Sequence, residues 1–232
     1  MMRLRSVLPV PAAAALLVAA SLSVPCRAQG RPIDEGAFVI TVKGKPARTE
    51  SFKIARIDNG QIQATGQLID GDGRISSSLV ADSLGTPIRY LYSDKQRGVT
   101  MLTVGAVAAG HRLVLSSSDS RSNETTKEFP LVTGGTLFLE QSLVHQLYFV
   151  PLSRRSGPIE FIEPRTGRHE AGTLSGRGLE PVEIGGRSVT ATHYSLVIGA
   201  AAQEFWVDSQ GRVLRVEIPA QGITAVREEL PR

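Results

Sequence analysis

The chain has 232 residues, 41% of them hydrophobic and only 5% aromatic, with 26 basic residues against 22 acidic ones and a single cysteine. One cysteine excludes an internal disulfide scaffold, and a net charge of only +4, with no run of basic residues, is no basis for a nucleic-acid-binding surface. The length suffices for one domain with an ordinary apolar core.

The first segment is Met1-Met2-Arg3-Leu4-Arg5, a short positive start, followed by an apolar run densest from Ala12 to Val24. It ends Cys26-Arg27-Ala28, with small residues at the −3 and −1 positions of a cut before Gln29. This layout predicts a secretory signal peptide over residues 1–28, a single β-rich domain over 29–232, and a periplasmic or secreted location. The run is shorter than the roughly 20 apolar residues of a membrane span and holds Pro9, Pro11 and Pro25. No later segment is long and apolar enough to span, so no membrane span is expected in the mature chain. A second reading keeps Cys26 as a lipid anchor, but Ser23 and Pro25 stand where a leucine and a small residue would favour that processing. Cleavage removes Arg3, Arg5 and Arg27, leaving 23 basic residues against 22 acids and moving the net charge from +4 to +1. It also removes the only thiol.

Beyond residue 35 the chain reads as successive strands. Phe38, Ile40 and Val42 alternate with Val39, Thr41 and Lys43, a period of two. Gly44-Lys45-Pro46 turns the chain into a stretch carrying Phe52, Ile54 and Ile57. Asp58-Asn59-Gly60 is a hairpin signal, because Asn-Gly supplies positive φ angles. Ile62, Ala64 and Leu68 follow at even spacing, and Asp70-Gly71-Asp72-Gly73 turns into residues 74–81. The meander continues through 87–92, 99–107 and 112–118. The Ser- and Thr-rich stretch 116–126 reads either as a polar strand or as a loop.

Residues 137–149 are the one helix candidate. Leu139, Leu143, Val144, Leu147 and Tyr148 recur at helical spacing, with Glu140, Gln141 and His145 on the polar side. Thr136 is placed to cap its start and Pro151 to end it. Strands resume at 159–162, turn at Arg165-Thr166-Gly167-Arg168, and break again at Gly185-Gly186. The last hairpin runs from Glu204-Phe205-Trp206-Val207 through Asp208-Ser209-Gln210-Gly211 into 212–218, and 223–227 is expected to add an edge strand. The expected fold is mainly β (α+β): a curved antiparallel sheet or half-open β-barrel of about a dozen strands. One amphipathic helix covers the concave side, with an apolar space between helix and sheet.

Catalytic and metal signals are weak. No G-x-S-x-G elbow is present; Asp82-Ser83-Leu84-Gly85 lacks the first glycine, and Ser175 falls in a strand. His111, His145, His169 and His193 are isolated, and the nearest thing to a ligand set is His169-Glu170 meeting His193 across neighbouring strands. Asp70-Gly71-Asp72-Gly73 lacks the further ligands of a calcium loop. No Rossmann or Walker pattern occurs. Arg154, Arg155, Arg165 and Arg168 flank one strand as a small positive patch, suited to lipid headgroups or simply solvated. No catalytic residue, metal or cofactor is therefore assigned.

The segment Trp206-Val207-Asp208-x-x-Gly211-x-x-x-Arg215 resembles the closing hairpin of exported bacterial proteins with the lipoprotein-localisation-factor-like fold. The mid-chain helix candidate and the N-terminal hairpins are similar to that architecture too. Residues 38–73 also resemble the β-rich domain placed before some secreted bacterial hydrolases, within uncharacterised families. The resemblance implies a half-open barrel with a helix in its mouth and an apolar cavity able to take acyl chains. Carriers of this fold often hold their closed state with an inward arginine, and the sequence singles none out. Phe38, Phe52, Leu143, Leu147, Tyr148 and Trp206 are the candidate ligand-binding residues. The expected function is a non-enzymatic periplasmic binding or carrier protein for a lipid, a lipid-anchored partner or another apolar ligand. A structural or protein-interaction domain without small ligand is the alternative, and a secreted hydrolase the third reading.

Overall fold

The computed structural model describes residues 30–153 and 156–231. The expected signal peptide over residues 1–28, Cys26 within it, and Arg154 and Arg155 lie outside the described residues.

Among the described residues, fifteen strands form one sheet. In chain order they are β1 (Arg31–Val42), β2 (Lys45–Arg56), β3 (Ile62–Asp70), β4 (Gly73–Ala81), β5 (Pro87–Gln96), β6 (Val99–Ala109), β7 (Arg112–Asp119), β8 (Glu124–Pro130), β9 (Thr136–Phe138), β10 (Gly157–Glu163), β11 (Arg168–Ile184), β12 (Arg187–Ile198), β13 (Ala201–Val207), β14 (Val213–Ile218) and β15 (Ile223–Arg227). Every hydrogen-bonded neighbour is antiparallel except β9 with β10. The sheet runs β8 to β1, then β15 to β9. The first and last strands therefore meet at its centre, with Phe38 opposite Arg227 and Ile40 opposite Ala225. The stretch 223–227 is thus a central strand, not the expected edge. Its inward Ala225 and Arg227 complete the buried stripe of Phe38 and Ile40.

The count exceeds a dozen because the Ser/Thr-rich stretch is strand, turn and strand, the end of β7 pairing with β8. Turns fall where glycine and asparagine put them: Asn59 (φ 62) and Gly60 (φ 75) lie in a 3-10 turn between β2 and β3. Asp70 and Gly73 close the next hairpin. Bulges bend the sheet, notably at Gly176/Gly178 in β11, where Gly178 has φ 115, and at Trp206/Val207. The curl brings the two ends near each other without closing the ladder. Lys127 Nζ donates to the carbonyls of Thr166 (3.3 Å) and Gly167 (3.1 Å), and Phe129 meets His169 edge-on.

The concave side is filled by residues 139–153. The expected helix over 137–149 is not there: Thr136–Phe138 is a strand, Leu143 is extended, Val144–Tyr148 is a 3-10 turn, and α1 (Phe149–Ser153) is a single short turn of α-helix. A surface helix needs a solvated face, and this segment keeps only Gln141 exposed: Glu140, His145 and Gln146 are as buried as Leu139, Leu143 and Leu147. Pro151 lies inside α1 rather than ending it, at a first-turn position where its missing N–H has no intrahelical partner. The main core packs this plug against inward residues of both wings of the sheet. A second, smaller cluster on the convex face holds Val182, Ile184, Ala191, Trp206 and Leu214.

Candidate functional site

The site is the interface between plug and sheet. Glu50 lies on β2 two residues before the inward Phe52, so strand alternation points it into the barrel, where it is fully buried. Its Oε2 accepts the amide N–H of Val144 (2.7 Å), and its Oε1 accepts that of His145 (2.9 Å). These are the orphan donors that open the 3-10 turn, so a side chain from the sheet caps a turn of the plug. The same Oε1 lies 2.6 Å from His145 Nδ1, which assigns the ring hydrogen to Nδ1. His145 Nε2 is buried and unpartnered. The ring is stacked near Phe52 (6.2 Å, 9°) over Gly66 of β3, where an added Cβ would overlap it.

A second contact holds the plug's first residues. Glu140 is fully buried; its Oε1 faces Arg165 Nε at 3.2 Å and its Oε2 accepts the Arg165 N–H at 3.2 Å. The Glu140 N–H donates to Gln146 Oε1 (2.7 Å), whose amide in turn reaches the Tyr90 hydroxyl (3.4 Å). Burial, helped by the Glu163 charge, pushes the Glu140 carboxyl up to about 7 against the pull of Arg165. Burial likewise raises Tyr90 and Tyr92, whose neighbour Glu140 adds to the effect. Arg165, expected on a positive surface patch, is therefore committed to the plug. Arg168 pairs with Glu170 at 3.7 Å.

The third inward charge is Arg227 of β15. It bonds Asp34 twice (Nη1 3.2 Å, Nη2 2.7 Å) and the Glu35 carbonyl (2.8 Å), and stands over the rings of Phe52 (5.0 Å) and Phe38 (5.9 Å). Burial raises the Asp34 carboxyl and Arg227 partly offsets the rise. An inward, buried arginine is thus present, though the sequence did not single it out.

Five of the six candidate ligand residues are brought together on the concave side. Phe38 stacks on Phe52 (5.2 Å, 20°), and Leu143, Leu147 and Tyr148 belong to the plug packed in the same core. Trp206 is separated from them, on the convex face, because on β13 it alternates with the inward Phe205 and Val207. There it stacks on His193 (4.4 Å, 15°) and donates to Glu180 (3.0 Å). The two histidines thought to approach one another do not. His193 lies opposite Gly178 and bonds Glu180 and Glu204, whereas His169 faces Glu160. No group of three metal-ligating side chains occurs among the described residues.

The expected apolar space is also filled. Where the plug meets β1, β14 and β15, a crevice lined by Ile40, Leu143, Leu147, Val216, Ile218 and Ala225 has a volume of about 30 Å³, one water's worth. A larger cleft of about 520 Å³ lies elsewhere, between Pro32–Ala37 and Glu228–Leu230, and four of its nine lining residues are acidic: Asp34, Glu35, Glu228 and Glu229.

No family model and no curated protein matches the sequence. The fold is similar to the crystal structure of the β-barrel-like protein of the domain of unknown function DUF1849 from Brucella abortus. That match has a TM-score of 0.57 at 10% identity, over 86% of this chain and 97% of that one. A looser match, TM-score 0.32 at 12% identity over 86% of this chain and 88% of the other, is to the hypothetical lipoprotein YmcC from Escherichia coli. The chain therefore has a β-barrel-like fold similar to that of a protein of unknown function, built, among the described residues, as one unclosed, almost wholly antiparallel sheet with one short helix. No helix among the described residues is long and apolar enough to cross a membrane.

Proposed function

We propose that this is an exported, non-enzymatic binding protein of the bacterial envelope that takes an apolar chain, from a lipid or lipid-anchored partner, into the concave side of its sheet. One observation carries the reading: the concave face is covered not by a second layer of regular structure but by an irregular plug. That plug is tied to the walls through a few polar side chains and meets one wall at an apolar crevice. Ligand pockets run to roughly 300–1,000 Å³, so a crevice of about 30 Å³ takes a chain only as the plug moves. Delipidated, refolded protein should bind a fluorescent fatty acid at micromolar concentration. Val216→Trp, which fills the crevice, should weaken that binding at least tenfold, and Leu179→Trp on an exposed stretch of β11 should leave it unchanged. No binding by a natively folded sample would end this reading.

A specific feature favours a second one. Strand β8 pairs on one side only and is exposed along nearly its whole length, an edge open to strand addition. Cross-linking in cells that captures a protein at β8, with no lipid retained, would support a protein-interaction domain instead.

A further inference from the structure

Resting on that reading, we infer that the crevice selects an acyl chain with a carboxylate head, and that Arg48 is the residue that holds the head. Arg48 lies on β2 opposite Ile40 and, like Ile40, lines the crevice. It is the crevice's one cationic lining residue among those described. Its side chain is 34% exposed, and Gln141, another lining residue, is exposed, so the crevice opens to solvent at these residues while Leu143 and Leu147 are its buried part.

Two groups at the mouth have unmet hydrogen-bonding capacity. Arg48 Nε is buried and makes no well-aligned hydrogen bond, although Asp70 Oδ2 sits 2.8 Å from it, and Ser142 Oγ is buried and unpartnered. Ser142 Oγ is a buried group without a partner and Arg48 Nε meets its carboxylate at a poor angle, so an arriving acceptor aligned with both gains what they lack. Asp70 shows which chemistry fits: a carboxylate already rests against this guanidinium. Asp70 is itself half exposed, and such surface pairs are worth little, so a ligand carboxylate displaces it at small cost. Glu140 also lines the crevice, but its charge faces Arg165. A neutral hydroxyl head can accept from Arg48 Nε or Ser142 Oγ but brings no charge to the guanidinium, and its bond is the weaker one. The carboxylate accepts from both while the chain follows Leu143, Leu147 and Val216 inward.

The test is displacement of the neutral probe N-phenyl-1-naphthylamine from the delipidated protein at pH 8, by decanoate and by decanol. Decanoate should win by about tenfold, the worth of a charge-assisted hydrogen bond. Arg48→Gln should bring the two ligands level by weakening decanoate alone, and Arg48→Lys should restore part of the preference. Near-UV circular dichroism confirms that each variant is folded. Equal affinities in the unaltered protein, or an Arg48→Gln that weakens both ligands alike, would overturn the head-group assignment while leaving chain binding in place. If neither ligand nor probe binds, chain binding itself fails.

Discussion

Two histidines, one on each side of the same sheet, show how differently this protein treats polar groups inside and outside. His193 on the convex face is fully partnered: Nδ1 to Glu180 (2.9 Å), Nε2 to Glu204 (2.8 Å), with its ring on Trp206. Trp206 also bonds Glu180, Ser195 bonds Glu204, and Arg215 closes the far side of the indole at 5.5 Å. The bonds from Trp206 and then His193 hold the Glu180 carboxyl below its usual range. His145 on the concave side is fully buried, yet one of its ring nitrogens has no partner. The outer network is a finished brace across β11 to β14. The inner one is tied to a segment that regular structure does not hold, and it leaves polar capacity unspent. The binding role proposed above draws on the side that is incomplete.

The comparison breaks most sharply at Glu50. Glu50→Ala removes the acceptor for the buried His145 amide, the half-buried Val144 amide and the His145 ring at once, and should destabilise the protein by about 3–5 kcal/mol in urea unfolding. A loss near 1 kcal/mol would mean that water reaches the turn and that the interior is not dry. Glu140 sharpens the same contrast through pH. Its folded value, about 7, stands above its ordinary 4.5, so the folded state holds a proton that the unfolded state has released. The stability this contributes is present below about pH 4.5 and is lost as pH rises toward 7 and beyond. At roughly 1.4 kcal/mol per unit, unfolding free energy should fall by on the order of 2 kcal/mol between pH 5 and 8. Glu140→Gln should flatten that part of the profile. A variant with the slope unchanged would place the titration elsewhere, Asp34 being the next buried carboxyl raised in the same direction.

The sheet was legible because alternation reports a half-buried strand directly. Phe38/Ile40, Ile62/Ala64/Leu68 and Phe205/Val207 all point where their parity says. The plug was not, because spacing of leucines describes which residues are buried and not the backbone that buries them. With every side of residues 143–150 covered or nearly so, a helical period carries no information about a helix. Glu50 and Arg227 carried a signal that went unread. Each shares the inward parity of apolar neighbours, Phe52 and Ile54 for one and Ala225 for the other, and a charge in an inward position announces a buried partner. What no local pattern supplies is which partner: Val144 and His145 lie 94 and 95 residues from Glu50, and Asp34 lies 193 from Arg227.

Gly66 offers a smaller and cleaner probe of the inner side than either carboxylate. A methyl group there meets the His145 ring and nothing charged is removed, so Gly66→Ala should cost about 1–3 kcal/mol through overpacking. If the plug is the movable part, that strain is relieved by its leaving, and the variant should bind a fatty-acid probe more tightly than the unaltered protein while being less stable. His193→Ala, the matched change outside, should cost about 1 kcal/mol, because its partners stay hydrated at 45% and 21% side-chain exposure. It should leave probe binding where it was. Opposite signs for stability and affinity at Gly66, with no change in affinity at His193, separate a plug under release from a core that is merely packed. If Gly66→Ala weakens binding in proportion to stability, the plug is a fixed part of the barrel and the concave side is closed to ligands.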